Sequence, residues 1–432
     1  MDSKEQEKEY KTEGKFTIYR SGEHLIVKHQ DYENYLHFDL LNGNVCSEKT
    51  KETFMNTELA LYKTHPHAII GVISLDKWKF LLIVSGYDLV GCIDKKELYT
   101  VKEVDLVTIT KEEFQPSEEM ALYINGIKTL FITGFYYSFE YDLTNSAQRI
   151  KFPKSDTPHH QESLYYNYNY NLKKELLDAK INSIFMINMI HGYVGIGKLE
   201  DLNGEEVGLT LISRRSRYMA GTIFSCKGID KHGNCANFVE TEQITKISNK
   251  TYSFVIYRGS PPLFITNNTL NSDSSIKIVD VPNELKSSSL NKHIALITTK
   301  EKFNIFFLNL LSDTVHDESL LNKHIQINMF PIHTSTGASC KYYKIDINKA
   351  FETNNFFIIE NFIQHFMSIQ NSFISYYCDD SKYKSSFLQK GVIRVNCMNG
   401  LDRTNVFQAA LCWKIFEAQV SLIYLFNTRY LQ

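Results

Sequence analysis

Residues 392–405 read Val392-Ile393-Arg394-Val395-Asn396-Cys397-Met398-Asn399-Gly400-Leu401-Asp402-Arg403-Thr404-Asn405. The β-branched residues at the start are typical of a short buried strand, and the polar, glycine-containing stretch over 396–402 predicts a turn. Residues 406–426 are largely apolar and contain neither glycine nor proline, which predicts a long buried helix. A strand, a loop and a helix in this order are the setting for a phosphate site at a helix N-terminus.

Within this stretch, Cys397 and Arg403 are separated by five residues. In such a loop the backbone amides converge on one point, and the following helix directs its positive end there. A free thiol has a pKa near roughly 8.5, which a helix N-terminus and a guanidinium lower, so that a thiolate can attack phosphorus. Arg403 offers a bidentate fork to phosphate oxygens, and Thr404 is placed to hydrogen-bond the sulfur. The spacing alone is also compatible with a small buried cysteine that has no catalytic role.

The composition is that of a folded protein with little net charge. The chain has 432 residues, of which 43% are hydrophobic and 22% are charged, and its formal net charge is −2. The length predicts two or three domains, and the charge excludes a general attraction to nucleic acid, so an anionic ligand needs a local cluster of cations. Eight scattered cysteines and a charged N-terminus without a signal peptide favour a reducing compartment. No apolar run reaches about 18 residues, so no membrane span is predicted.

The rest of the chain predicts a mixed α/β fold. Residues 1–150 are interpreted as a mainly β N-terminal subdomain, because their pattern consists of short apolar runs separated by turn signals. Residues 151–172 are interpreted as an exposed linker or insertion, and residues 173–432 as an α/β catalytic domain that is incomplete at its C-terminus if the chain is a fragment. The individual elements predicted are strands at 69–75, 80–84 and 207–212 and a helix at 361–374.

The loop and several upstream blocks resemble one protein family. The segment from Cys397 to Asn405 is similar to the loop of the Sac-domain phosphoinositide phosphatases, which reads roughly C-x-D-C-L-D-R-T-N. Other similar blocks occur in the order of the family and extend the resemblance over residues 60–415. These blocks are Tyr137–Thr144, Leu211–Arg217, Lys227–Asp230, Asn237–Gln243 and Tyr257–Ser260. Several blocks in order are far more specific than the loop alone.

The resemblance implies an activity and a set of site residues. It implies hydrolysis of a phosphomonoester on the inositol ring of a membrane phosphoinositide, through a cysteinyl-phosphate on Cys397 and without a metal or cofactor. Phosphatidylinositol 4-phosphate is the leading substrate, and lipids with a 3-phosphate or a 3,5-bisphosphate stay open. The implied catalytic residues are Cys397, Arg403, Thr404 and Asp402. The implied substrate-binding residues are Met398, Asn399, Gly400, Leu401, Arg214, Arg215 and Arg217.

Outside the loop, the arginines form one dense cluster in an arginine-poor chain. Arg214, Arg215 and Arg217 are interpreted as docking lipid phosphates beside the loop, mainly because of the resemblance. The alternative is a solvated strand end with surface ion pairs. Glu240 and Glu242 lie in another similar block and are compatible either with catalysis or with a structural role in binding backbone or arginine.

Departures from the family pattern bear on activity. Asn399 stands where the family usually has an aspartate, and an amide can hydrogen-bond but cannot transfer a proton to the leaving oxygen. Gly400 replaces the usual second cysteine of the loop at little chemical cost. The chain stops at Gln432, whereas the catalytic domain of the family continues, so we expect either a shortened protein or an incomplete chain.

Two other functions stay open. A catalytically weak Sac-like module would bind phosphoinositides or a protein partner without turnover, an alternative that Asn399 and the early C-terminus at Gln432 motivate. A protein tyrosine phosphatase would share the loop chemistry, although the upstream blocks do not resemble that family.

The partners and the location follow from the implied substrate. The predicted partners are the phosphoinositide and the membrane surface, with no nucleic acid and with protein partners unspecified. The predicted location is the cytoplasm, peripheral to membranes, or the endoplasmic reticulum or Golgi membrane if a C-terminal anchor is missing from this chain.

Overall fold

The computed structural model has the mixed α/β fold that the sequence predicts. It describes residues 14–49, 60–61, 65–112, 114–151, 164–200, 206–221, 226–267, 276–297, 304–329, 339–369, 376–379, 384–389 and 391–428. The chain divides into two compact units, of which the first holds Met1–Thr144 and Tyr166–Tyr193 and the second holds Asn145–Tyr165 and Val194–Gln432. The chain therefore passes between the units three times, whereas the boundaries expected from composition lie at 150 and 172.

The secondary structure consists of strands and helices of very different lengths. The strands are β1 (Phe16–Arg20), β2 (His24–His29), β3 (Asn34–Asp39), β4 (Val45–Lys49), β5 (Ala60–Leu61), β6 (Ala68–Leu75), β7 (Trp78–Ile93), β8 (Lys96–Thr108), β9 (Phe135–Ser138), β10 (Asn188–Glu200), β11 (Glu206–Arg215), β12 (Val239–Ile247), β13 (Lys250–Gly259), β14 (Ile265–Asn267), β15 (Ile276–Ile278), β16 (Asn304–Asn309), β17 (Ser339–Lys344), β18 (Tyr376–Asp379), β19 (Lys384–Phe387) and β20 (Gly391–Asn396). The helices are α1 (Glu118–Phe131), α2 (Ala147–Lys151), α3 (Tyr170–Asp178), α4 (Asn283–Ile297), α5 (His316–Met329), α6 (Ile347–Glu352), α7 (Phe357–Ile369) and α8 (Asp402–Thr428), with a 3₁₀ turn at Ser183–Phe185. Among the described residues, none of the helices is both long and apolar enough to cross a bilayer.

The first unit is mainly β, as predicted for the N-terminal part. Strands β1 to β5 form a five-stranded sheet in the order β4-β3-β2-β1-β5, and β6 to β10 pair as antiparallel neighbours in chain order. The strands predicted at 69–75 and 80–84 are confirmed as β6 and as part of β7. Their buried residues, such as Ile69 and Leu81, pack in one hydrophobic core. Removal of apolar side chains from water is the main driving force for this packing.

Part of the predicted linker is buried, so the expectation of an exposed segment is wrong for that part. Residues 152–163 lie outside the described residues, and beyond them Asn169 is almost fully buried. Its side-chain amide donates to Ile70 O at 2.7 Å and to Ile187 O at 3.0 Å. Its oxygen accepts from the Met189 amide at 3.0 Å. This asparagine satisfies buried backbone groups, a role that composition does not reveal.

The second unit contains the strand of the decisive sequence stretch. Its main sheet has the order β17-β16-β20-β13-β12-β11. Strands β17, β16, β20 and β13 run parallel to one another, and β12 and β11 continue the sheet in antiparallel pairs. The predicted strand at Val392, Ile393 and Val395 is confirmed as β20, in which every residue is buried.

The parallel strands end together at one edge of the sheet. Asn396 at the end of β20 lies beside Asn309 at the end of β16 and beside Gly259 at the end of β13. The Asn396 side-chain amide donates to Asn309 Oδ1 at 2.7 Å and fixes this edge. Ligands of α/β proteins bind outside the carboxyl ends of parallel strands, so this edge is the place to look for a site.

The two helices predicted in this unit are confirmed, although their first and last residues differ from the predicted ones. Helix α7 begins four residues before the predicted start at 361, and residues 370–375 lie outside the described part of the chain. Helix α8 begins at Asp402, and the expectation of a buried helix is confirmed for one face only. Leu411 is fully buried against the sheet, whereas 57% of Trp413 is exposed. A helix at the surface of a domain buries one face only.

Candidate functional site

The site is the loop between β20 and α8. Cys397 is the first residue after β20 and only 3% of it is exposed. Asp402 is exposed in the first turn of α8, and it is the only carboxylate in the segment 397–404. The Thr404 hydroxyl donates to Leu401 O at 2.7 Å, so the predicted hydrogen bond from Thr404 to the sulfur is not the one that forms.

Three consecutive carbonyls of the loop are held by side chains from other elements. The Ser260 hydroxyl donates to Met398 O at 3.0 Å. The Asn237 side-chain amide donates to Asn399 O at 2.9 Å, and Arg258 Nη1 donates to Gly400 O at 2.5 Å. The three backbone carbonyls that accept these hydrogen bonds belong to Met398, Asn399 and Gly400. A planar trans peptide directs its N–H opposite to its C=O, so the amides that follow these carbonyls face the other side of the loop, as in an anion-binding nest.

Gly400 is required by the path of the loop. Its φ is +65°, and an added Cβ would lie 2.4 Å from the carbonyl carbon of Gly259. A residue with a side chain is disfavoured at this φ and has no room here. Sequence reasoning treated the change from cysteine to glycine as chemically neutral, but the glycine decides how closely the loop approaches β13.

Arg403 lies beside Cys397 and is bound by Glu318 from α5. Its Nη1 and Nη2 donate to the Glu318 carboxylate at 2.8 and 2.5 Å. Burial acts to lower the pKa of Arg403, but the hydrogen bonds and charge of Glu318, together with the nearby Cys397 sulfur, outweigh burial and raise that pKa. The structure therefore brings the predicted cysteine and arginine together, and it adds a carboxylate that the sequence did not indicate.

Two further arginines lie close to Cys397. Arg258 is bound to the loop at Gly400 O, and burial lowers its pKa to about 10 against the opposing effect of the Cys397 charge. Arg394 is fully buried, and its Nη2 donates to Ser260 O at 2.6 Å and to Cys235 Sγ at 3.1 Å. Among the described residues, neither arginine forms an ion pair with a carboxylate. The loop therefore lies beside two arginines that no carboxylate binds directly among the described residues, and their positive charge attracts an anion.

The arginine cluster on β11 does not act as one group. Side chains alternate between the two faces of a strand, so Arg214 and Arg215 point in opposite directions. Arg214 is fully buried and donates to Glu240 at 3.0 Å and to Glu242 at 2.7 Å. This burial contradicts the predicted contact of Arg214 with substrate phosphates. It favours the structural role for Glu240 and Glu242 that the sequence left open.

Arg215 and Arg217 have different surroundings. Arg215 Nη2 donates to Gly221 O at 2.9 Å and to Asn237 Oδ1 at 3.3 Å. Because Asn237 also holds Asn399 O, Arg215 is linked to the loop through one side chain. Arg217 Nε donates to Leu164 O at 2.7 Å, and its Nη2 donates to a neighbouring tyrosine hydroxyl, so it is engaged away from the loop.

Sequence reasoning missed three residues that shape this site. Ser260 and Asn237 end and begin two of the blocks that resemble the family, so their signal was present but not assigned to the loop. Glu318 carries no local signal, because its partner Arg403 is 85 residues away in the chain. Asn399 Oδ1 is buried and has no hydrogen-bond partner among the described residues. The side chain that replaces the family aspartate therefore keeps one acceptor oxygen that could bind a further donor.

Comparison with known proteins points to one family. A family model for the SacI homology domain matches residues 67–352. Phosphatidylinositol-3-phosphatase SAC1-A of Danio rerio is 27% identical over 373 residues, which cover 82% of this chain and 60% of that protein. The SAC1 phosphatidylinositol-3-phosphatase of Saccharomyces cerevisiae is 28% identical, with 82% of this chain and 58% of that protein covered. Phosphoinositide phosphatase SAC7 of Arabidopsis thaliana is 27% identical, with 83% of this chain and 60% of that protein covered. The chain thus spans about 60% of the length of these relatives.

Proposed function

We propose, from the premise that this chain belongs to the SacI homology domain family, that it hydrolyses a phosphomonoester on the inositol ring of a membrane phosphoinositide. The relatives are named as phosphatases of phosphatidylinositol phosphates, and the chain shares most of its length with them. The protein would act at a membrane surface, because its substrate is a lipid. No metal or cofactor is part of this proposal.

One observation carries the proposal. Cys397 lies at the start of a loop that has the Arg403 guanidinium beside it and three carbonyls turned away to other elements. Such a loop offers amides, a guanidinium and a nucleophile to the same phosphate, and these are the groups that phosphoryl transfer needs.

The proposed reaction proceeds through a cysteinyl-phosphate. The Cys397 thiolate attacks phosphorus, the P–O bond to the inositol ring breaks, and the leaving oxygen takes a proton. Asp402 is the proton donor that we propose, because Asn399 cannot supply one and no other carboxyl is present in the loop segment. Water then attacks phosphorus, the S–P bond breaks, and inorganic phosphate leaves. Arg403 binds the equatorial oxygens, whose charge is greatest in the transition state.

The position of the phosphate on the ring is tested by comparing lipids. Phosphatidylinositol 4-phosphate is the substrate that the sequence resemblance favours, whereas the names of several relatives specify a 3-phosphatase. Release of inorganic phosphate from soluble short-chain lipids with a 3-phosphate, a 4-phosphate or a 3,5-bisphosphate would rank the substrates. We expect measurable turnover of at least one of them.

The matched variants for this experiment are Cys397→Ser and Arg403→Lys. The serine variant should lose turnover, because a hydroxyl is a far weaker nucleophile than a thiolate. The lysine variant keeps the charge but loses the planar fork, and we expect a loss of about 100-fold or more in kcat. Turnover that survives Cys397→Ser would contradict the cysteinyl-phosphate.

A phosphoinositide-binding module with little or no turnover is the second candidate, and Asn399 favours it. This amide occupies the place of the family aspartate, with its oxygen buried and unpaired among the described residues. Such a module would bind the short-chain lipid without releasing phosphate. If so, Asn399→Asp should raise turnover while binding changes little, and wild-type turnover that Asn399→Asp does not increase would argue against this candidate.

A further inference from the structure

Arg403 is held by a carboxylate from a distant part of the chain. Glu318 lies in the first turn of α5, and only 8% of its side chain is exposed. Its Oε2 accepts from Arg403 Nη1 at 2.8 Å, and its Oε1 accepts from Nη2 at 2.5 Å. Two parallel charge-assisted hydrogen bonds fix both the direction and the rotation of a planar guanidinium.

Glu318 is itself fixed from behind. The Ser312 amide donates to Glu318 Oε2 at 2.7 Å, and the Ser312 hydroxyl donates to Asp346 Oδ2 at 2.8 Å. Asp346 is the N-cap residue of α6 and accepts from the Lys349 amide. A continuous chain of hydrogen bonds therefore connects the start of α6 to the guanidinium of Arg403.

The hydrogen bonds of Arg403 leave one edge of the guanidinium for a ligand. A guanidinium has five N–H donors. Glu318 takes one donor on each Nη, and Leu310 O lies 3.4 Å from Nη1. The other two donors, on Nε and Nη2, are parallel and point away from Glu318 because the group is planar. Within the described part of the chain, only the Cys397 sulfur is a further partner of this group.

We propose that Glu318 is a positioning residue that holds Arg403 by its Nη1–Nη2 edge, so that the parallel Nε and Nη2 donors bind two oxygens of the phosphate at Cys397. This inference rests on the proposed phosphatase function and adds a residue to it. A carboxylate that blocked Arg403 would occupy the phosphate-binding Nε–Nη2 edge, whereas Glu318 binds the adjacent Nη1–Nη2 edge.

The test compares the full chain with its Glu318→Gln variant. The amide keeps the size of the side chain but accepts only one hydrogen bond from the fork, so the guanidinium can rotate. Small misplacements of a catalytic group cost up to about 100-fold in rate, and we expect kcat for the best short-chain phosphoinositide to fall about 10- to 100-fold. We expect KM to change less than about threefold, because the loss falls mainly on the transition state.

A second measurement does not depend on turnover. Iodoacetamide alkylates Cys397, the extent of alkylation is read by mass spectrometry, and bound inorganic phosphate should protect the thiol. Glu318→Gln should need at least about tenfold more phosphate for the same protection, because binding through a fork requires both donors to be aligned. A merely structural role would alter the unfolding midpoint without changing this ratio.

Asp317→Asn is the matched control. It removes the same charge one residue away and leaves the contact with Arg403 intact, so kcat and protection should stay within about twofold of wild type. If Glu318→Gln does not fold, Glu318→Asp replaces it, since the shorter carboxylate keeps the charge and should give an intermediate loss.

The outcomes separate this inference from the proposed function. Wild-type values in Glu318→Gln, or a higher kcat, would overturn the inference and leave the proposed function standing. Absence of wild-type turnover on every lipid, together with absence of phosphate protection, would overturn the proposed function itself. Phosphate protection without turnover, weakened by Glu318→Gln, would support the inference in a binding module.

Discussion

Gly400 determines the path of the loop after β20 because it has no side chain. Its positive φ and its contact with the backbone of Gly259 leave no space for Cβ. We expect Gly400→Ala to cost about 1 to 3 kcal/mol of unfolding free energy, because the residue is strained at this φ, with a further cost for the clash. Urea unfolding measures the change.

Gly126 in α1 is the control for that substitution. An added Cβ at Gly126 meets no atom within 4 Å, and alanine is favoured over glycine in a helix by roughly 0.5 to 1 kcal/mol. Gly126→Ala should therefore raise stability while Gly400→Ala lowers it. Equal effects of the two changes would mean that the loop relaxes to accept a side chain.

Arg214 offers a prediction of the opposite kind, in which a charge is structural. It is buried with Glu240 and Glu242, and Arg149 completes the group by donating to Glu240 at 2.6 and 2.7 Å. Arg214→Met leaves Glu242 buried without its cation, and we expect a loss of about 3 to 5 kcal/mol in urea unfolding. Arg215→Met, on the other face of β11, should cost at most about 1 kcal/mol.

A substrate role for Arg214 would produce a different result. In that case Arg214→Met would keep wild-type stability and lose affinity for the short-chain lipid. That outcome would contradict the buried ion group described above.

At the residue scale, the sequence predicts the residues that would react with substrate better than the residues that hold them in position. Cys397 and Arg403 lie in one short segment with five residues between them, and this spacing predicted the pair. Glu318 reaches Arg403 only because α5 follows a strand beside β20, and no local pattern contains that information. The sequence around Arg214 is compatible with a surface cation. Its burial follows from the register of β11 with β12, which places it opposite Glu240.

At the scale of elements, local patterns predicted β20 and α8 but not which strands lie beside β20 in the sheet. Strand β20 is buried on both faces, and such strands read as continuous apolar runs. Its position between β13 and β16 depends on pairs such as Ile393 with Ile256 and with Phe306, which are far apart in the chain. Pairing at such separation is decided by the whole sheet and leaves no trace in a short sequence window.

Helix α8 gives a prediction at this scale, because it directs its first turn at the loop. Leu411 is fully buried in the core formed by α7, α8 and the sheet, whereas Trp413 is mainly exposed. Leu411→Ala should cost about 2 to 5 kcal/mol in urea unfolding, through lost burial and the cavity that it leaves.

Trp413→Ala is the comparison for Leu411→Ala. Although the tryptophan side chain is larger, its loss should cost less than about 1 kcal/mol, since surface changes have small effects. A larger loss for Trp413→Ala would mean that this face of α8 is covered in solution.

At the scale of the whole molecule, both units contain a deeply buried histidine, His67 in the first and His293 in the second, that is held neutral. In the first unit the His67 ring stacks on Tyr87 at 3.6 Å, and its Nδ1 is 2.7 Å from the Tyr137 hydroxyl. Burial, with a smaller effect of the Lys15 charge, lowers the pKa of His67 to about 3. In the second unit burial and the Arg394 charge lower the pKa of His293 to about 3.

The protonation state of His293 follows from its partners. Arg394 Nε lies 3.4 Å from His293 Nε2, and an arginine can only donate, so Nε2 is the acceptor. Nδ1 therefore carries the proton and donates to Gly233 O at 3.0 Å. A second proton on Nε2 would face the guanidinium directly.

These pKa shifts predict how stability depends on pH. A histidine in the unfolded chain titrates near about 6.5, so between that pH and pH 3 the unfolded state binds more protons than the folded state. The free energy of unfolding therefore decreases as the pH falls through this range, by up to about 1.4 kcal/mol per pH unit for each histidine. About one pH unit above 6.5 and higher, neither group contributes appreciably to the slope.

Urea unfolding of wild type, His67→Phe and His293→Gln at pH values between 7.5 and 4 tests this dependence. Each variant should be less stable than wild type at pH 7.5, because it loses a buried hydrogen bond, and should lose less stability on acidification. Carboxylates also titrate in this range, so the relevant quantity is the difference in slope between each variant and wild type. A wild-type slope in His293→Gln would show that this ring is already protonated or accessible in the folded protein.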